Sequence, residues 1–136
     1  MLNMRVLIRR SLLAFVAVAL ASCSSPLAPA NLVGEYVLVS VNGLALSDGP
    51  GVVAGTVRLQ TPGLAARTIV SVAPDGARLE QRLDGTFIVD GNAVRLAFRD
   101  GGYIWRPPAR IDGRVLTVTY QSPADGPDTV ERYERE

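Results

Sequence analysis

Carboxylates are the main side chains of this 136-residue chain that could act as general acids or bases. The chain contains no histidine, which removes the commonest general base and a frequent transition-metal ligand. Glu35, Glu80 and Glu131 lie within candidate strands, where a carboxylate pair could support hydrolysis. We expect them instead to face solvent and to pair with arginines on neighbouring strands. The sequence therefore predicts no catalytic residue and no enzyme activity.

A second group with chemical potential is the stretch 103–110, which contains the only tryptophan of the chain. In one interpretation, Trp105 is a stacking platform and Arg106 or Arg110 holds an anionic group. In the other, Tyr103 and Trp105 fill the core while Arg106 points to water. Strand alternation favours the second interpretation, since residues 103 and 105 share a face. Both remain open from the sequence.

The N-terminus carries the third chemically informative residue, the single cysteine Cys23. Three arginines (5, 9 and 10) precede an apolar run over 12–20, as in a secretory signal peptide. The run is shorter than the roughly 20 residues that span a bilayer. The stretch Leu20-Ala21-Ser22-Cys23 resembles the lipobox of bacterial lipoproteins. That resemblance implies acylation of Cys23, which would become the mature N-terminus.

These features divide the chain into three parts. We expect a lipoprotein signal peptide at 1–22, the lipidated cysteine with a flexible Ser/Ala/Pro tether at 23–31, and one domain at 32–136. The resemblance implies an exported protein anchored in the bacterial envelope by its lipid. Ser24 stands where lipoproteins kept at the inner membrane often carry Asp. The expected location is therefore the outer membrane, facing the periplasm, in an organism that has one.

Composition excludes several partners. Every basic residue is arginine, and the net charge is +1, so no basic patch for nucleic acid is expected. With no histidine and one cysteine assigned to lipid, zinc and iron–sulfur sites are not expected either. We predict no cofactor and no metal. The oligomeric state stays open.

The distribution of Asp-Gly pairs predicts an all-β domain. Seven of them (at 48, 75, 84, 90, 100, 112 and 125), with Asn42-Gly43, suit tight turns between strands. The short stretches between them are rich in Val, Ile, Leu, Thr and aromatic residues. They predict strands over 34–42, 53–60, 66–73, 77–89, 93–99, 102–111, 114–120 and 128–134. The fourth is expected to bulge at Asp84-Gly85, and Pro107-Pro108 should mark an edge or a bend in the sixth.

About eight antiparallel strands with one apolar face favour an up-and-down meander that closes into a barrel. A two-sheet sandwich is the alternative. The arginine-bearing outer faces argue against an outer-membrane barrel, which needs an apolar lipid-facing band.

The segment 32–46, with Gly34-Glu35-Tyr36 leading into Val41-Asn42-Gly43, resembles the start of small bacterial lipocalin-like lipoproteins. The same pattern of strands and turns continues in the stretches 85–96 and 111–118 and in the terminal Arg132-Tyr133. META-type domains share the opening and are a competing assignment. The resemblance implies a lipocalin-like barrel and no catalytic residues.

Two functions follow as hypotheses. The first is a non-catalytic, lipid-anchored envelope protein that binds a small hydrophobic or amphipathic ligand in its barrel. The second is a protein-interaction module, either an envelope assembly factor or an inhibitor of an envelope-attacking enzyme. The candidate ligand-binding residues are the aromatic side chains and one arginine, namely Tyr36, Phe87, Phe98, Tyr103, Trp105, Arg106 and Tyr120.

Overall fold

The computed structural model describes residues 31–121 and 126–136. The predicted signal peptide, Cys23 and the tether up to residue 30 lie outside these residues. The described part contains ten strands, and they are β1 (Gly34–Val41), β2 (Leu44–Ala45), β3 (Gly51–Gln60), β4 (Leu64–Val72), β5 (Arg78–Asp90), β6 (Ala93–Asp100), β7 (Tyr103–Trp105), β8 (Pro108–Asp112), β9 (Val115–Tyr120) and β10 (Thr129–Arg135). None of its helices is long and apolar enough to span a membrane.

Eight of these strands close into an antiparallel barrel. The order around the wall is β1-β3-β4-β5-β6-β8-β9-β10, and β10 pairs with β1 to complete the circle. The short strands β2 and β7 are additions that pair with β1 and β6. The predicted fold class, an all-β meander closed into a barrel, is confirmed. Closure leaves no long exposed sheet edge, which explains how a small domain of alternating strands avoids edge-to-edge association.

The predicted turn chemistry is visible between β1 and β2. Asn42 and Gly43 have φ angles of 51° and 78°, the left-handed values that a two-residue hairpin turn of the primed type requires. The Asn42 side chain adds a tertiary contact, because its Oδ1 accepts a hydrogen bond from the backbone N–H of Val130 at 2.8 Å. The turn therefore joins β1 to the start of β10 as well as to β2.

The bulge expected at Asp84-Gly85 is absent, and this prediction was wrong. The register of β5 runs without a shift against β4 and against β6 through both residues. Gly85 is needed for another reason. A Cβ atom placed there would lie 1.9 Å from the carbonyl oxygen of Ala97 on β6. The glycine thus allows two backbones to approach closely. The bulges occur instead between Leu38 and Ser40 in β1 and between Val52 and Ala54 in β3.

The predicted sixth strand is divided in two at the prolines. β7 pairs with the end of β6 (98–100), whereas β8 pairs with its beginning (93–95). Arg106 and Pro107 lie between the two strands. Because proline has no N–H to donate, the ladder cannot continue through this position. The predicted bend at the prolines is confirmed.

One end of the barrel is closed by the N-terminal segment. Leu32 is buried against the core, and the Tyr36 hydroxyl donates a hydrogen bond of 2.9 Å to its carbonyl oxygen. Arg135, at the end of β10, donates to the carbonyl oxygens of Asn31 and Val33, both at 2.7 Å. These bonds hold the segment across the barrel end. The interior behind it is packed, and its largest fully buried side chains are Tyr36, Tyr133, Phe98, Leu59, Leu96 and Leu116.

Candidate functional site

A buried ion pair crosses the interior of the barrel. Arg67 on β4 and Glu131 on β10 both point inward, and their side chains are 9% and 4% exposed. Nη2 of Arg67 donates to Oε1 of Glu131 at 2.6 Å. Since β3 and β1 lie between β4 and β10 in the wall, the arginine must reach across the lumen. Burial of two charges costs free energy of desolvation, so such a pair needs a reason beyond stability.

The expectation that Glu131 faces solvent is wrong. It pairs with an arginine, but with Arg67 across the lumen and not with an arginine on a neighbouring strand. Glu131 and Tyr133 are two residues apart on β10, so they share the inward face. Glu35 behaves as expected, since it is partly exposed and pairs with Arg58 on the neighbouring strand at 3.1 Å. Glu80 is exposed on β5.

Two tyrosines complete the interior polar cluster of Arg67, Glu131, Tyr120 and Tyr133. The Tyr133 hydroxyl donates a short hydrogen bond to Oε2 of Glu131. The Arg67 guanidinium lies over the ring of Tyr120, with its central carbon 4.5 Å from the ring centroid. Burial, followed by the nearby negative charge of Glu131, raises the pKa of both phenols. Both hydroxyls therefore remain protonated donors at neutral pH.

Two polar atoms of this cluster have no hydrogen-bond partner among the described residues. They are Nε of Arg67 and the hydroxyl oxygen of Tyr120, and both are buried. A buried polar group without a partner costs about 1–3 kcal/mol, more when it is charged. Most such groups in folded proteins find a partner, so each exception calls for an explanation.

On its outer side, Tyr120 belongs to a surface groove. The groove has a volume of about 520 Å³ and is lined by Tyr103, Ile104, Trp105, Arg106, Pro107, Pro108, Tyr120 and Gln121. The rings of Trp105 and Tyr120 are 6.0 Å apart at a tilt of 57°. Tyr103 meets Trp105 edge to face at 6.4 Å. An aromatic series therefore runs from the exposed Tyr103 through Trp105 and Tyr120 to Arg67.

The groove lies where the described strands of the barrel wall are not joined by backbone hydrogen bonds. β8 pairs with β9 only as far as Ala109 opposite Val118. Beyond this point β7 pairs with β6 alone, so among the described residues the end of β9 has no strand partner on that side. The interruption at Pro107 thus separates the Trp105 segment from Tyr120. Side chains, not a backbone ladder, close the wall at this place.

The structure brings together four of the seven predicted ligand-binding residues. Tyr103, Trp105, Arg106 and Tyr120 line the groove, with Tyr103 and Arg106 exposed, Trp105 half-buried and Tyr120 buried. The other three, Tyr36, Phe87 and Phe98, lie in the packed core.

Sequence reasoning missed Arg67 and the functional interest of Glu131. A signal was present, because Arg67 alternates with Ala65 and Ile69 on one face of β4. The three share the inward face, and a charged residue among apolar inward positions is informative. Among the described residues, no three His, Cys, Asp or Glu side chains lie close enough together to hold a metal.

Comparison with known proteins yields no family assignment. No protein-family model matches the chain, and no curated protein sequence matches it. Among solved structures, the chain is similar to fatty-acid-binding protein 1 of Echinococcus granulosus, with a TM-score of 0.43 and 11% identity over 76% of this chain and 96% of that one. It is also similar to the wild-type fluorescent protein UnaG, with a TM-score of 0.45 and 12% identity over 80% of this chain and all of that one.

Proposed function

We propose that this chain is a non-catalytic, lipid-anchored envelope protein that binds a small hydrophobic or amphipathic molecule in the Trp105 groove. One observation supports this most directly. The groove joins exposed aromatic surface to a polar cluster inside the barrel, at a place where no backbone hydrogen bonds between described residues close the wall. Binding sites for small molecules are typically concave and mostly apolar, with a few polar groups that fix orientation.

The packing of the interior favours the groove over a central cavity as the place of binding. Tyr36, Phe98 and Tyr133 are fully buried and occupy the lumen together with the branched side chains of the core. Small eight-stranded barrels have interiors just wide enough for side chains or for one small ligand. Here large side chains take that space, whereas the groove offers about 520 Å³ beside Trp105.

The lipid anchor is the part of the proposal that rests on the sequence alone. Leu20-Ala21-Ser22-Cys23 follows a signal-like apolar run, and Cys23 is the only cysteine. Anchoring would hold the domain at an envelope membrane through the segment that leads to Leu32. We propose the outer membrane, on its periplasmic side, in an organism that has one.

The absence of enzyme activity is also proposed, on the nature of the buried groups. Glu131 is already bonded by Arg67 and Tyr133, and its side chain is 4% exposed. A carboxylate so occupied is poorly placed to take a proton from a substrate, because a general base needs hydrogen-bond access to it.

Native mass spectrometry of the full chain, released gently from its own envelope membranes, tests both parts of the proposal. We expect a polypeptide mass that begins at Cys23 and carries acyl chains. We also expect a further small molecule that is released on denaturation. Trp105→Ala should remove most of the bound molecule, whereas Ile88→Ala, a change at an exposed residue that does not line the groove, should retain it. A wild-type protein without bound molecule would overturn ligand binding, and an unprocessed Cys23 would overturn the anchor.

The second candidate function, a protein-interaction module, is favoured by one feature. Tyr103 and Ile104 on β7 are 66% and 43% exposed, an unusual exposure for large apolar side chains next to each other. A wild-type protein without bound molecule, combined with crosslinks from Tyr103 to one envelope protein, would support this function over the first.

A further inference from the structure

The interior polar cluster specifies the chemical class of the ligand that the groove would accept. This step rests on the proposed binding at the groove and goes further, to the headgroup. The relevant residue is Tyr120, which lines the groove on one side and lies under the Arg67 guanidinium on the other. A ligand group that enters from the groove beside Tyr120 would therefore contact Arg67.

The charge balance of the cluster argues against an anionic headgroup. Glu131 already neutralises Arg67 at 2.6 Å, so the buried pair carries no net charge. A carboxylate or phosphate that entered would lose its hydration and would face Glu131 as well as Arg67. Attraction and repulsion of similar size would leave the cost of desolvation uncompensated. A cation is disfavoured for the same reason, with the roles of the two charges exchanged.

The unpartnered atoms indicate what the headgroup must offer. Nε of Arg67 is a donor only, and the protonated Tyr120 hydroxyl can donate as well. The Arg67 guanidinium lies over the Tyr120 ring, so the two donors belong to side chains in contact, and together they suit one oxygen atom with two lone pairs. A hydrogen bond from a charged donor contributes more than one between neutral groups. A carbonyl or ester oxygen meets these conditions without adding charge.

We infer that the groove binds an uncharged amphipathic molecule whose carbonyl or ester oxygen accepts hydrogen bonds from Nε of Arg67 and from the Tyr120 hydroxyl. Its apolar part lies against Trp105 and Tyr103. Entry requires side-chain movement of Trp105 or Tyr120, since within the described ranges no backbone hydrogen bonds join β7 to the end of β9.

The single tryptophan makes the test direct, because Trp105 fluorescence reports the groove alone. A bromine atom quenches tryptophan on contact, so three brominated probes of similar shape can be titrated into the full chain held in amphipol. They are methyl para-bromobenzoate (a neutral acceptor), para-bromobenzoate (an anion at neutral pH) and para-bromo-sec-butylbenzene (a neutral aryl bromide without oxygen). We expect saturable quenching by the ester at a concentration about tenfold lower than by either of the others.

Two variants separate the contributions of hydroxyl and charge. Tyr120→Phe retains the ring but lacks the hydroxyl. It should therefore leave the affinity of the oxygen-free probe unchanged and reduce the affinity of the ester about fivefold. Glu131→Gln leaves Arg67 without its counter-charge. It should therefore make the anion the tightest of the three probes. If Glu131→Gln does not fold, Tyr120→Phe and the wild-type ranking still decide the matter.

The outcomes distinguish this inference from the proposed function. If no probe quenches Trp105 saturably, the groove is not a binding site and both fail. If all three probes bind equally, the groove binds apolar molecules and only the headgroup assignment fails. A wild-type preference for the anion would overturn the inference, since it would require Arg67 to act without compensation by Glu131.

Discussion

At the level of single residues, the Arg67–Glu131 pair provides a sharp test of how charge is held inside the barrel. Glu131→Gln keeps the shape of the side chain but leaves a guanidinium buried without a counter-charge. We expect the free energy of unfolding to fall by about 3–5 kcal/mol. The matched change Glu35→Gln removes one partner of the exposed pair with Arg58, which is 54% exposed, and should cost at most about 1 kcal/mol.

Chemical denaturation of the two variants and of the double variant Arg67→Met with Glu131→Leu completes this prediction. The double variant removes both charges but leaves the Tyr133 hydroxyl without its acceptor, so we expect it to be more stable than Glu131→Gln and close to the wild type, because replacing a buried pair with apolar side chains is often neutral or stabilising. Equal losses for Glu131→Gln and Glu35→Gln would show that the interior pair is hydrated, contrary to its exposures of 9% and 4%.

At the level of elements, the long strand β5 depends on one close approach at Gly85. In Gly85→Ala the new Cβ would lie 1.9 Å from a backbone oxygen of β6, which cannot move as a flexible side chain would. We expect a loss of about 3 kcal/mol in the free energy of unfolding, at the upper end for overpacking. The control Gly102→Ala places a Cβ with nothing within 4 Å and should change stability little. If Gly85→Ala left the free energy of unfolding unchanged, β5 and β6 would have to separate easily at this position.

The strands show how far the sequence determines this fold. The alternation of apolar and polar residues, together with the turn residues, predicted the eight strands of the barrel wall. Both signals are local, because they can be recognised within a short stretch of sequence. Asp84-Gly85 misled because the same dipeptide suits a turn and a close strand contact, and only the position of β6 distinguishes them. Trp105 was recognised as part of a candidate site by residue type. The contact of its neighbour Tyr120 with Arg67 was not, because β4 and β9 are not adjacent in the wall and their side chains face each other only when the barrel closes.

At the level of the whole molecule, the two ends of the barrel have different tasks. The N-terminal segment closes one end through Leu32 and Arg135. Strand β9 starts at that end, where Val115 is opposite Glu134, and reaches Tyr120 at the other. If Cys23 is lipidated as proposed, the anchor leads to the closed end and the Trp105 groove lies towards the opposite one.

The pH dependence of stability is a property of the whole molecule that follows from its buried phenols. Burial raises the pKa of Tyr36, Tyr120 and Tyr133 above the usual value of about 10, while the unfolded chain retains that usual value. Below this pH the tyrosines are protonated in both the folded and the unfolded state, so they do not change the free energy of unfolding with pH. Above it the unfolded chain loses protons first. The free energy of unfolding should then fall by about 1.4 kcal/mol per pH unit for each such tyrosine.

The composition of the chain makes this alkaline loss easy to assign. It has no lysine, and its one cysteine is the proposed lipid attachment site, so tyrosines dominate titration in this range. Denaturation of the full chain between neutral pH and strong alkali measures the slope. Tyr120→Phe should reduce it by about one tyrosine's share, 1.4 kcal/mol per pH unit, because the phenol whose pKa is raised by burial and by the negative charge of Glu131 is gone. An unchanged slope in Tyr120→Phe would show that this hydroxyl already reaches solvent, and the route from the groove to Arg67 would then be open without any movement of Trp105.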